Sequence, residues 1–200
     1  MMAPRLNVTL AVKRLVRDVA ARLPELAHVR ASRVLVVAGE ARRASRATIR
    51  PFGSGAAGRG PRIELRGRAV RYVITLRPLW FLDSTPEERI DTILHELYHA
   101  SLRFDGTLHG GRRHARLPAG SYHRRILALR TRYLALAPAD TLAPFAHQGL
   151  ARARMWLERP AAPRGGAGPG RRLYTERQLY QGLVRMRTLK RRSPRPSSDD

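Results

Sequence analysis

The run from Ser84 to Leu102 constrains the fold more than any other part of the chain. Thr85 stands where a helix N-cap would, Pro86 fits the first helical position, and Glu88 follows the threonine by three residues, which together predict a capping box. Ile90, Ile93, Leu94, Leu97 and Leu102 then recur at steps close to a helical turn, so one face of this helix is an apolar stripe that must be covered by other elements. Beside the stripe lies His95-Glu96-Leu97-Tyr98-His99. Side chains four residues apart on a helix lie one turn above each other on the same face, so the two imidazoles can share one metal ion.

H-E-x-x-H is the ligand and base arrangement of zinc peptidases. The two histidines hold the metal, and the glutamate, next to the first of them, takes a proton from the water that the metal activates. The expected metal ligands are therefore His95 and His99, with Glu96 as general base and Zn2+ as cofactor. A catalytic zinc needs a third protein ligand and an open position. The chain has no cysteine, so the third ligand must be His, Asp or Glu. Asp105, His109, His114 and His123 all follow the motif closely enough, and spacing alone does not choose among them. Tyr98 and Tyr122 are read as packing residues.

The chain of 200 residues is 43% apolar, enough to bury the core of one domain of ordinary size. No apolar run approaches the roughly 20 residues of a membrane span, and the first residues lack a signal-peptide pattern, so a cytoplasmic protein with no membrane partner is expected. Formal net charge is +24, and all but two of the basic residues are arginine, the exceptions being Lys13 and Lys190. Such a charge draws a protein to DNA or RNA non-specifically. Abundant Ala, Arg, Gly and Pro also suit a GC-rich coding sequence, so part of the charge reflects codon usage.

Periodicity predicts helices over about Thr9 to Leu23 and Ser121 to Ala137, and a third over Thr141 to Leu157. Arg33 to Glu40, Arg62 to Arg66 and Ala69 to Leu76 read as strands, and Arg46 to Phe52 as a weaker one. Gly53 to Gly60 is glycine-rich but lacks the lysine and strand-to-helix setting of a phosphate loop, so it is read as a hairpin connection and no nucleotide cofactor is expected. Arg77 to Asp83 leaves the sheet towards the motif helix, and Phe104 to Gly120 is read as loop. These elements predict an α+β fold with a small, mostly antiparallel sheet packed against helices. The expected division is a domain over 1–158, a Pro/Gly-rich linker over 159–172, and a basic helix capped by Thr175 with a disordered tail over 173–200.

The segments Leu76-Arg77-Pro78-Leu79-Trp80-Phe81-Leu82, Thr85-Pro86-Glu87-Glu88-Arg89, Ile93 to His99 and Phe104-Asp105-Gly106-Thr107-Leu108, with the N-terminal Arg33 to Ser45, resemble bacterial and phage metallopeptidases related to the SprT-like zincins. The likeness covers roughly residues 6 to 137. It implies a zincin fold, a hydrolase acting on a protein or peptide, and a histidine ligand downstream of the helix. His114 fits that place best, because similar members carry a glycine-glycine-arginine run before it, as Gly110-Gly111-Arg112 does here. The SprT pattern of a histidine and glycine opening a helix is split here: His109 has the glycine, and His123 has the helix. Some of these relatives cleave proteins crosslinked to DNA. The competing expectation is a non-catalytic nucleic-acid-binding protein with a structural or relic zincin core, although a structural site has no use for Glu96.

Overall fold

Val34–Ala38, apolar throughout and rich in β-branched valine, forms strand β1 and is buried on both faces. It lies at the centre of a five-stranded sheet that also contains β2 (Ala47–Pro51), β5 (Tyr72–Leu76), β6 (Gly149–Trp156) and β8 (Leu179–Met186), in the order β2-β5-β1-β6-β8. A second sheet has the order β4-β3-β7, from β3 (Arg62–Leu65), β4 (Arg68–Ala69) and β7 (Leu173–Tyr174). The computed structural model describes residues 5–40, 45–52, 61–112, 120–160 and 172–188. The expected hairpin connection over Gly53 to Gly60, most of the expected linker, and the tail beyond Thr188 lie outside them.

The two faces of the main sheet have separate covers. Val34, Val36, Tyr72, Ile74 and Leu76 face a core made with helices α1 (Val8–Arg22), α3 (Pro86–Tyr98) and α4 (Ser121–Leu136). Leu35, Val37 and Val73 point the other way and pack on Ile63, Leu65, Val70 and Tyr174 of the small sheet and its turns. The fold is thus α+β, with helices, the main sheet and the small sheet as three layers. Among the described residues no helix is long and apolar enough to cross a membrane.

Four expectations change. The main sheet is mixed rather than mostly antiparallel, since β1 runs parallel to β5 and to β6 while β2 and β8 are antiparallel edges. The expected strand over Ala69 to Leu76 divides, Ala69 belonging to β4 and Tyr72–Leu76 forming β5; Pro78–Leu82, which leads from the sheet to the motif helix, is a short helix, α2. Only the start of the expected helix over Thr141 to Leu157 is helical: α5 (Ala139–Leu142) and a 3-10 turn precede β6. The residues of the expected basic helix form β8, which pairs with β6 along all eight residues, so 173–188 is an integral part of the sheet. The reason is shared: Ala151 and Ala153 alternate with Arg152 and Arg154, burying only small side chains against the core, and sheet pairing overrides the helical propensity of Ala, Arg, Leu and Met. The cap at Thr175 does form, on a single 3-10 turn.

Helix α3 is anchored at its N-terminal end. Thr85 and Glu88 form the reciprocal capping box, with Glu88 N–H to Thr85 Oγ1 at 3.2 Å and Thr85 N–H to Glu88 Oε2 at 3.0 Å. One turn on, Arg89 is fully buried and spreads its guanidinium over the carbonyls of Trp80, Phe81, Phe145 and Arg187. Among the described residues no carboxylate pairs with it; four main-chain oxygens do that work. Arg187 directly follows β8, so the last strand of the sheet is tied to the motif helix through this one side chain.

Candidate metal centre

His95 lies in the last turn of α3, and His99 is its C-cap residue. Their Nε2 atoms stand 3.3 Å apart. Two nitrogens each about 2.0–2.1 Å from a tetrahedral ion are separated by roughly 3.3–3.4 Å, so this spacing fits two ligands of one zinc. The C-terminal end of a helix is the negative end of its dipole, which also favours a cation here.

The orientation of His99 is set by the chain that follows it. Residues 100–108 form a tight excursion: Ala100 bridges Leu108, and His109 N–H returns to the His99 carbonyl at 2.9 Å. Tyr72 of β5 holds the excursion together, its hydroxyl donating to Thr107 O at 2.7 Å and accepting from Gly106 N–H at 3.2 Å. Gly106 has φ +89°, and a Cβ there would meet Phe52 O at 3.2 Å, so the close approach to β2 requires glycine. The chain then passes back over the helix end, where Arg112 stacks on the Tyr98 ring with 4.0 Å to the centroid. This brings Arg112 O to 3.0 Å from His99 Nδ1. A carbonyl only accepts, so Nδ1 carries the proton and Nε2 keeps its lone pair, the usual way a second partner prepares a histidine ligand.

Glu96 is 8% exposed, and its Oε2 accepts the Ile49 N–H of edge strand β2 at 2.7 Å. Burial pushes its carboxyl up to about 7, against the opposing pull of the Ile49 N–H and the charge of Arg77. Arg77 is itself only 8% exposed, and its Nε and Nη1 have no hydrogen-bond partner among the described residues. The even-numbered residues flanking Ile49 bond inward to β5, as Phe52 N–H to Arg71 O and Arg46 O from Arg77 N–H show. The Ile49 N–H therefore faces the outer side of the sheet, and Glu96 is held at an open strand edge.

Tyr122 belongs to the centre, although its place in the apolar stripe of α4 reads as packing. Its hydroxyl lies 3.1 Å from His95 O and 3.2 Å from His99 Nε2, and its ring stacks on His99 at 19° between planes. Burial, with the neighbouring charges of Glu96 and Tyr98 adding to it, raises this phenol well above its usual range, so it stays a donor. The one sequence signal for it was its position in the first turn of a helix, next to His123. Tyr98, by contrast, directs its hydroxyl to Arg125.

The remaining candidates separate. Asp105 Oδ1 accepts from Ser101 Oγ, Thr107 N–H and Thr107 Oγ1, which fastens the excursion; the Ser101 and Thr107 bonds hold its carboxyl below the usual range. His109 Nδ1 accepts from Gly111 N–H at 3.1 Å. His123 is exposed on α4, where it lies near Asp91. His114 lies outside the described residues. Among the described residues no group of three or more His, Asp or Glu could hold a metal. No family model, curated protein or solved structure matches the chain. The case for a function accordingly rests on this geometry.

Proposed function

We propose that the chain is a zinc-dependent peptidase of the zincin type, related to the SprT-like metallopeptidases, with His95, His99 and His114 as ligands and Glu96 as general base. The observation that carries this reading is the meeting of the His95 and His99 Nε2 atoms at 3.3 Å, with His99 Nδ1 committed to Arg112 O. His114 follows Arg112 by two residues, a stretch of chain that spans at most about 7 Å, so it starts from a carbonyl already at the site. Zinc bound there would supply a Lewis acid that activates water and polarises a peptide carbonyl.

The protein's own groups account for the rest. Glu96, poised near neutrality, takes a proton from the attacking water and returns it to the departing amine nitrogen. An extended peptide adding to the outer edge of β2 would lie against this carboxylate, because Ile49 N–H on that edge already holds it. Tyr122, kept protonated, is placed to donate to the carbonyl oxygen as charge develops on it.

Zinc content and proteolysis test it together. After dialysis against a weak chelator the protein should retain a single zinc, His95→Ala, His99→Ala and His114→Ala should each lose it, and Glu96→Gln should keep it while losing cleavage of an unfolded protein substrate. Wild type that cannot be loaded with zinc, or an active Glu96→Gln, would refute the proposal.

A further inference from the structure

The excursion after His99 also forms one wall of a cavity of about 370 Å³ lined by His28, Arg30, Ser32, Arg33 and Arg103. The opposite wall is the 3-10 turn Ala31–Arg33 that leads from α1 into β1. Three arginines and a histidine thus line one concavity, Arg30 also donating to Ala27 O, and among the described residues no carboxylate lines it. Among the described residues Arg30, Arg33 and Arg103 make no ion pair, whereas Arg22, Arg46, Arg62, Arg130, Arg132 and Arg172 do. Burial, with the charges of Arg112 and Arg30 adding to it, lowers the pKa of His28, so it lines the cavity as a neutral imidazole, its buried Nε2 without a hydrogen-bond partner among the described residues. Like charges around a concavity repel one another, and low-dielectric walls focus their field into it, so the cavity is built to receive an anion.

We propose that this cavity binds the sugar–phosphate backbone of a nucleic-acid strand. Its size lies within the range of small-ligand pockets, more than a single inorganic anion requires. Leu102, 55% exposed, gives it an apolar lip on which a sugar or base can rest. The positive charge also continues past the cavity. Arg68 is exposed on β4, a strand that packs against the Ala31–Arg33 turn. Cations repeated along a track match a polymer with a charge on every residue, where a lone phosphomonoester would use only the cavity. The site stands on residues other than those of the proposed metal centre and does not depend on that reading. Its wall begins three residues beyond His99, so a bound strand would lie alongside the end of α3.

The test is fluorescence anisotropy of a labelled twelve-residue oligothymidine with the full chain, titrated at several salt concentrations. The triple variant Arg30→Ala, Arg33→Ala, Arg103→Ala is compared with Arg152→Ala, Arg177→Ala, Arg185→Ala, which removes the same charge from exposed positions on and near β6 and β8. The cavity variant should bind at least about tenfold more weakly, with a salt slope reduced by about 2, from three phosphate contacts at about 0.7 each. The control should lose less than about threefold. Ser32→Asp, which leaves every arginine in place and adds a negative charge inside the cavity, should weaken binding as the cavity triple does, and it keeps the test valid if the triple variant fails to fold. Equal losses in cavity and control variants would show that net charge alone acts and would overturn the proposal. Preference for a phosphoserine peptide over the oligonucleotide would overturn the nucleic-acid assignment.

Discussion

Glu96→Gln should make the metal-free protein more stable at alkaline pH and leave it unchanged at acid pH. The glutamate is buried, and its carboxyl ionises near 7 in the folded chain against 4.5 when unperturbed. The difference, about 2.5 pH units at about 1.4 kcal/mol each, corresponds to roughly 3 kcal/mol. Below pH 4.5 the group is protonated in both folded and unfolded chains and costs nothing. Between 4.5 and 7 the folded state keeps a proton that the unfolded state releases, so stability falls as pH rises. Above 7 both are ionised and the full cost of burying the charge is present. Glutamine carries no charge, and its amide oxygen can still accept the Ile49 N–H. Urea unfolding of chelator-treated wild type and variant should therefore give equal free energies at pH 4 and a gap approaching about 3 kcal/mol in favour of the variant at pH 8. A gap that is the same at both pH values, or a variant less stable at pH 8, would refute the burial argument.

Arg89→Met should destabilise the fold by about 3–5 kcal/mol, because it strips the donors from four carbonyls, three of them in buried bonds; a loss below about 1 kcal/mol in the same assay would show that these groups find other partners. Deleting everything after Leu157 should abolish cooperative unfolding and zinc binding alike, since β8, Met186 and the Arg187 carbonyl go with it; a truncated chain that still binds zinc would contradict the sheet described here. Tyr72→Phe should loosen the excursion that returns Arg112 to His99 and weaken zinc affinity by about 10- to 100-fold, with unchanged affinity by competition against a chelating dye as the contrary result.

What the sequence made legible was local. The capping box of α3, the stripes of α1 and α4 and the alternation in β5 each involve residues a turn or two apart, and each element appears within a few residues of its expected place. The pairing of β6 with β8 is not local. Within β6, Ala151 to Arg154 alternates small and charged residues, a pattern whose alanines and arginines also suit a helix, and only the partner strand reveals the period of two. The candidate centre divides in the same way. His95, Glu96 and His99 are recognisable from their spacing, but the groups that orient them, Arg112 O and Ile49 N–H, are main-chain atoms that every residue possesses. Tyr122 shares a stripe with Ile126, Leu129 and Tyr133, so its hydroxyl was indistinguishable from core packing until α4 was placed against α3.

The tie between Arg89 and Arg187 gives the molecule an order of assembly. A ribosome makes the motif helix first and reaches Arg187 only 98 residues later, counting from Arg89. Until then the sheet ends at β6, and the guanidinium beneath α3 lacks one of its four oxygens. Contacts this far apart in sequence are slow to form because a long loop must close before they contribute. A nascent chain therefore carries both histidines of the motif well before it carries the architecture that aims them, and hydrolytic competence, on the reading proposed here, arrives with the closing strand.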